Sequence, residues 1–122
     1  MADIDPEVKE EVREILKQHR GRDNPVSSRE LSDKYDIDSI NSFPNTRAII
    51  RELLVEEKMP IGACNEGYFM IETEEEFEQY LGNLETRKLR IEDRIQAVYK
   101  AVINSTDIID DDVNIEEEYI IN

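Results

Sequence analysis

The residue types that carry most enzyme chemistry are scarce in this chain, which has one histidine, His19, and one cysteine, Cys64. His19 lies near the predicted end of a helix, where a cation is stabilised by the helix dipole, so we expect a surface or capping role. Cys64 lies on a predicted short strand, where a cysteine more often packs as a small apolar residue than reacts as a redox thiol. We find no catalytic constellation and predict that the protein is not an enzyme.

Acidic residues near the C-terminus are the remaining candidates for binding an ion. Asp110, Asp111 and Asp112 are followed by Glu116 to Glu118. Their spacing lacks the glycine and the alternating ligands of a calcium-binding loop. We therefore predict neither a metal site nor a cofactor.

The chain is strongly acidic. Its 122 residues fit one domain with an appended arm. The formal net charge is -15 and 37% of the residues are charged, against about 25% in an average globular protein. Three explanations compete: a nucleic-acid mimic or antagonist, an acidic tail on an ordinary domain, and a protein from a high-salt cytoplasm. We favour the third, because Asp and Glu number 30 against 15 for Lys and Arg, and Arg outnumbers Lys.

The sequence also indicates where the protein resides. A single cysteine forms no internal disulfide, which is typical of a cytoplasmic protein. Residues 1–5 lack the basic region and apolar core of a signal peptide, and no apolar run is long enough to span a bilayer. We predict a soluble, cytoplasmic protein that has no membrane partner.

Three helices are predicted in the first half of the chain. Apolar residues at helical spacing, after an Asp-Pro start, predict the first helix over 6–19. Ser27 and Glu30 form a capping box that opens the second, over 28–35. A third helix is predicted to begin near Asn45, after Pro44, and to end around Lys58.

A hairpin and a long helix are predicted to follow. Strands over 60–64 and 68–72 flank a turn in which Gly67 can adopt the positive φ that a hairpin requires. Thr73 and Glu76 predict a second capping box. Beyond it, spacings of four and three predict a dimerising coiled coil whose seam residues are Phe77, Leu81, Leu84, Lys88, Ile91, Ile95, Val98 and Val102.

The pairing of this helix and the state of the segment after it leave alternatives open. The apolar face of the helix could instead pack in antiparallel fashion against the first helix of the same chain. Lys88 interrupts the apolar seam, and we expect it to set register or orientation at some cost in stability. The segment after the helix could be disordered, or its apolar residues could dock on the other subunit.

The order of these elements predicts a mainly α protein with a small β-hairpin, in the α+β class. Residues 27–102 resemble small winged helix-turn-helix proteins of archaea, bacteria and their viruses. The resemblance implies a DNA-binding domain over 1–72, a coiled-coil dimerisation helix over 73–104 and an acidic tail over 105–122. The motifs that carry it are Ser27-Ser28-Arg29-Glu30-Leu31, Thr46-Arg47-Ala48-Ile49-Ile50-Arg51-Glu52-Leu53 and Pro60-Ile61-Gly62-Ala63-Cys64-Asn65-Glu66-Gly67-Tyr68-Phe69.

The resemblance implies how each part would touch double-stranded DNA. In this family the third helix, called the recognition helix, enters the major groove. The hairpin, called the wing, reaches an adjacent groove or the backbone. Arginine can bind guanine, and asparagine adenine, through two hydrogen bonds. The start of the second helix would meet phosphate. The implied DNA-binding residues are Ser28, Arg29, Asn45, Thr46, Arg47, Arg51 and Asn65.

Charge distribution leaves room for such a contact. Residues 17–58 hold eight basic and eight acidic residues and are neutral, so the whole net charge of -15 lies elsewhere. We predict a dimeric, sequence-specific DNA-binding protein, a small transcriptional regulator of a halophilic archaeon or one of its viruses. The alternatives are a protein-interaction adaptor in which these arginines are merely solvated charges, and a subunit of the replication or transcription machinery.

Overall fold

The computed structural model describes residues 4–105, which form four helices and a two-stranded antiparallel sheet. The predicted mixed α+β class, mainly helical with a small hairpin, is confirmed. Apart from its first residue, the predicted acidic tail lies outside the described residues, and so do its carboxylate clusters. The elements in order are α1 (Pro6–Gln18), α2 (Ser28–Tyr35), α3 (Pro44–Val55), β1 (Ile61–Cys64), β2 (Gly67–Met70) and α4 (Glu74–Ile103).

Local signals determine the ends of α1 and α2. Asp5 caps α1 by accepting a hydrogen bond from the Glu7 amide at 2.9 Å. The capping box of α2 is complete, because Ser27 Oγ accepts from the Glu30 amide at 3.0 Å and the Glu30 carboxylate accepts from the Ser27 amide at 3.3 Å. His19 is the C-cap of α1, and its Nδ1 lies 3.0 Å from the carbonyl oxygen of Asn24.

The hydrophobic core lies among the first three helices and the hairpin. Full burial of one aliphatic side chain contributes about 1.5–3 kcal/mol, so these contacts supply the main stabilisation. Half-buried residues, Val8 and Ile37 among them, pack around the core. The buried cluster comprises Val12, Leu16, Val26, Leu31, Ile49, Ile50, Leu53, Met59 and Ile61.

The hairpin is held by the segment that joins α1 to α2. Its strands pair from Ile61 with Met70 to Cys64 with Gly67, which leaves a two-residue turn. Val26 exchanges two backbone hydrogen bonds of 2.8 Å with Tyr68, on the free edge of β2. Gly67 makes this approach possible, because a Cβ there would lie 2.2 Å from the Val26 carbonyl oxygen.

The start of α4 has more contacts than the prediction gave it. Thr73 Oγ1 accepts from the Glu76 amide at 3.1 Å, as expected. The Glu76 carboxylate accepts from the amides of Arg22, at 2.9 Å, and Glu72, at 2.8 Å. These bonds, that from Arg22 first, lower the pKa of Glu76, and a hydrogen bond from the Thr73 backbone acts in the same direction. Glu76 therefore also fastens the α1–α2 connection to the start of α4.

The described chain divides into two units, with the boundary inside α4 between Tyr80 and Leu81. The second unit is described from Leu81 to Ser105, and no residue in that range is buried.

α3 ends at Val55, earlier than the predicted end around Lys58. Among residues 4–105, no helix has the length and apolar character needed to cross a membrane.

Candidate functional site

The N-terminus of α3 lacks a cap from its own sequence. Phe43 occupies the cap position in the left-handed conformation, with φ 51° and ψ 53°, and its side chain makes no capping hydrogen bond. Asp38 supplies the missing acceptor from the preceding loop. Its Oδ1 accepts from the Asn45 amide at 2.8 Å and its Oδ2 from the Thr46 amide at 2.9 Å. The first amides of α3 are therefore occupied by the protein's own carboxylate.

Asp38 is positioned by α2. The buried Ser32 hydroxyl accepts from the Asp38 amide at 2.9 Å, which anchors the loop between α2 and α3. Burial alone would raise the pKa of Asp38, but hydrogen bonds from Thr46 and Asn45 outweigh this and lower it below the ordinary value of 3.8. The carboxylate is thus stabilised as an anion, which suits a helix N-terminus.

Two predicted contact residues do not lie where a base could reach them freely. Thr46 is fully buried, and its hydroxyl donates to Asp38 Oδ2 at 2.6 Å. Its side chain belongs to the cap of α3, so we withdraw it as a base-contacting residue. Asn45 is half-buried and lines a cavity of about 320 Å³ together with Tyr35 and Ile37.

The outer face of α3 carries the other two. Arg47 and Arg51 are one helical turn apart, and both are exposed. Neither forms an ion pair with any carboxylate among residues 4–105. Leu54 follows on the same face and is 43% exposed. This face thus presents two unpaired cations beside an apolar side chain.

Two of the three acidic residues in and just after α3, Glu52 and Glu57, are paired with α1. Lys9 of α1 lies 2.8 Å from Glu52 and 2.8 Å from Glu57, and Arg13 lies 3.2 Å from Glu57. The hydrogen bonds that Lys9 donates to Glu52 and Glu57 raise the pKa of Lys9, and the bond that Glu57 accepts from Lys9 lowers the pKa of Glu57. These carboxylates are therefore engaged by α1 and leave the arginine face without an adjacent counter-charge from its own helix.

Three more of the predicted residues line a single groove. Ser28 and Arg29, from the first turn of α2, and Asn65, from the hairpin turn, surround a groove of about 320 Å³. Phe43 lines it too, and the Arg29 guanidinium carbon lies 5.4 Å from the centre of the Phe43 ring. The cation–π contact orients the Arg29 side chain. The structure thus joins the start of α2, the start of α3 and the hairpin turn around one opening.

The predicted dimerisation residues lie along one side of α4. Seven are exposed, and Val102 is half-buried. Exposed apolar side chains at this spacing, interrupted by Lys88, are typical of an interaction surface. The exposed seven are Phe77, Leu81, Leu84, Lys88, Ile91, Ile95 and Val98.

Sequence reasoning missed the residues that support the site. The poor cap at Phe43, followed by a proline without an N–H, signals that α3 needs an outside acceptor, but the signal does not single out Asp38. The Phe43 ring beneath Arg29, and Lys9 and Arg13 of α1, gave no local signal. Each acts through a contact between elements.

Comparison with known proteins adds no functional assignment. The chain matches no family model, and neither the curated proteins nor the solved structures gave a match. Within residues 4–105, no three metal-ligating side chains lie close enough together to hold an ion. The features that bear on function are therefore the exposed arginines, the groove and the apolar row of α4.

Proposed function

We propose that this protein is a winged helix-turn-helix protein that binds double-stranded DNA sequence-specifically, with α3 as the recognition helix, and that it acts as a homodimeric transcriptional regulator. The order of three helices, a hairpin and a long helix supports this proposal. The exposure of Arg47 and Arg51 is the observation that carries it.

Arg47 and Arg51 are suited to reading base edges. Both project from one side of α3, and the engagement of Glu52 and Glu57 by α1 removes nearby competitors for their guanidinium groups. An arginine bound to guanine through two hydrogen bonds discriminates by about 1–3 kcal/mol. Asn45, which is half-buried, would contribute at the margin of such a contact.

The groove beside α3 is suited to the DNA backbone. The first amides of α3 are occupied by Asp38, so the helix N-terminus at the groove that would attract phosphate is that of α2. Ser28 contributes a hydroxyl, and Arg29 contributes a guanidinium group that is oriented by its contact with the Phe43 ring. The hairpin turn at Asn65 would reach the neighbouring groove or strand, as wings do.

The net charge of -15 sets the conditions for binding. An acidic protein is repelled by DNA over long distances, but charges are screened within about 3 Å at 1 M salt. Short-range arginine contacts survive such screening better than long-range attraction does. We therefore expect the affinity to fall less steeply with salt than it does for cationic DNA-binding proteins.

Selection of binding sites from random duplex DNA, at low and high salt, tests the proposal. The affinity for the selected duplex is then compared among the parent protein, Arg47→Ala, Arg51→Ala and Arg90→Ala. Arg90 is an exposed arginine of α4, so its removal changes the net charge equally. We expect each α3 variant to bind about 10- to 100-fold more weakly, and Arg90→Ala to bind as the parent does.

Two outcomes would contradict the proposal. An equal loss in all three variants would indicate general charge rather than base recognition. Failure to enrich any sequence at any salt would favour the alternative, a protein-interaction adaptor, which the net charge of -15 supports. In that case the apolar row of α4 would be its docking element.

A further inference from the structure

We propose that residues 81–103 of α4 pair with the same residues of a second copy in parallel and in register, as a two-stranded coiled coil. This inference rests on the homodimer of the proposed function but not on DNA binding. The charges beside the apolar row of α4 carry it.

The row itself is an apolar seam with one polar position. Among residues 4–105, nothing buries the side chains of residues 81–103 of α4. Leu84, Ile91 and Val98 alternate with Leu81, Ile95 and Val102 at spacings of four and three, which are the d and a positions of a heptad. β-Branched residues at a favour two strands, but β-branched residues at d favour more, so the apolar residues alone do not select the number of helices. A single lysine at a, here Lys88, specifies register and oligomeric state.

The two flanks of the row carry opposite charges. Glu85 and Glu92 occupy the e positions, and Arg87 and Arg94 occupy the g positions. None of the four forms an ion pair with another residue of the described chain. They are therefore available to a partner helix, and e and g charges are the ones that set helix orientation.

Parallel pairing brings opposite charges together. In a parallel, in-register pair, a g residue meets the e residue five positions further along the other helix. Arg87 of each copy would therefore face Glu92 of the second copy, and the two-fold symmetry forms this pair twice. Both side chains reach across the outside of the seam, where they shield the apolar row.

Antiparallel pairing brings like charges together. The alignment that places Leu84 against Ile95 of the second copy would set g residues beside g residues and e residues beside e residues. Arg87 would then face Arg94, and Glu85 would face Glu92, each pair occurring twice. In the parallel pair, Lys88 faces Lys88 of the second copy. This one repulsion is weaker than those of the antiparallel pair, because a lysine at that position extends its ammonium group to solvent.

A charge reversal distinguishes the two orientations by whether it weakens or tightens the dimer. The dimer dissociation constant of the full chain is measured by analytical ultracentrifugation for the parent, Arg87→Glu, and Arg87→Glu combined with Glu92→Arg. We expect Arg87→Glu to weaken the dimer about tenfold, and the double variant to restore it. Arg90→Glu, the same change at a position facing away from the seam, should leave it unchanged. A tighter dimer in Arg87→Glu would overturn the proposal in favour of antiparallel pairing.

Disulfide trapping gives an independent test. In a Cys64→Ser background, Val98→Cys should form a covalent dimer on air oxidation, because parallel pairing places the two substituted positions side by side. Antiparallel pairing would place each beside Leu81 of the second copy, about 25 Å from its equivalent. Trapping only in a Leu81→Cys and Val98→Cys double variant would overturn the proposal.

The outcomes separate this inference from DNA binding. A protein that selects a DNA sequence but sediments as a monomer at all concentrations would overturn the coiled coil and leave α3 as a recognition helix. If Val98→Cys forms a covalent dimer but the protein selects no DNA sequence, the coiled coil is supported and the proposed function is contradicted.

Discussion

The described residues up to Tyr80 and those from Leu81 onward are built on different principles. The first region encloses a core in which Leu16, Leu53 and Phe69 are almost completely buried. The second, up to Ser105, has no buried residue and consists of helix with a short end. The difference shows that the first region can hold its structure through its own contacts, whereas the second depends on helix propensity and on whatever covers its apolar row.

This difference has a thermodynamic consequence. Isolated helices are marginal in water, and most helix stability in proteins comes from packing of an apolar face. A partner that binds only the folded form adds stability that grows with concentration. We therefore expect the unfolding of the second region to depend on protein concentration and that of the first region to be much less sensitive to it.

The largest expected effect comes from truncating the core. Leu16→Ala should lower the free energy of unfolding by about 2–5 kcal/mol, because it removes a fully buried side chain and leaves a cavity. Leu84→Ala, the same change on the exposed row of α4, should cost less than about 0.5 kcal/mol in the dilute monomer. Urea denaturation of both variants measures the contrast. Equal losses at low concentration would mean that the α4 row is covered within the chain.

Two glycines provide the next contrast. Gly67 has φ 145°, and an added Cβ would collide with the Val26 carbonyl, so Gly67→Ala should destabilise by about 2–3 kcal/mol. A Cβ added at Gly82, in α4, would meet open space, so Gly82→Ala should stabilise by about 0.5–1 kcal/mol. Thermal unfolding should show opposite shifts. A loss of stability in Gly82→Ala would reveal a close neighbour at that face.

A smaller effect is expected at the cap of α3. Asp38→Asn should cost about 1–2 kcal/mol at neutral pH, since it removes a charged acceptor from two backbone amides. The pKa of Asp38 is lowered in the folded protein, so its contribution is present above the unfolded value and is lost as pH falls through the lower folded value.

The pH dependence supplies the check on this cap. The difference in unfolding free energy between the parent and Asp38→Asn should be constant near neutrality and should narrow below about pH 3.8. Asp33→Asn is the matched control, because Asp33 is an exposed aspartate on α2. A difference that stayed the same down to acid pH would show that Asp38 contributes through shape rather than charge.

Elements that depend on neighbouring residues were predictable from the sequence. The capping box of Ser27 and Glu30 and the proline start of α1 each act within a few residues, and the structure has both. The hairpin followed from Gly67 between two short apolar runs, although its strands are shorter than predicted. Such signals act between neighbouring residues and do not depend on how the rest of the chain folds.

The failures involve contacts between elements. Thr46 was expected to face outward, but Asp38, eight residues before it, draws its hydroxyl inward. Glu76 also accepts from the amide of Arg22, 54 residues away, which the sequence did not predict. Either pairing requires knowledge of which loops lie beside which helix ends. For the same reason, the sequence did not indicate that α1 would engage the carboxylates of α3.

That engagement has a consequence for how mutational scans of this protein would be interpreted. Lys9 and Arg13 lie on α1, yet they hold the carboxylates of Glu52 and Glu57. If Lys9 is lost, Glu52 loses its ion-pair partner while Glu57 keeps Arg13, and the potential near Arg51 becomes more negative. Under the proposed function, an alanine scan for lost DNA binding would therefore score Lys9 as a hit although Lys9 lies outside the proposed contact.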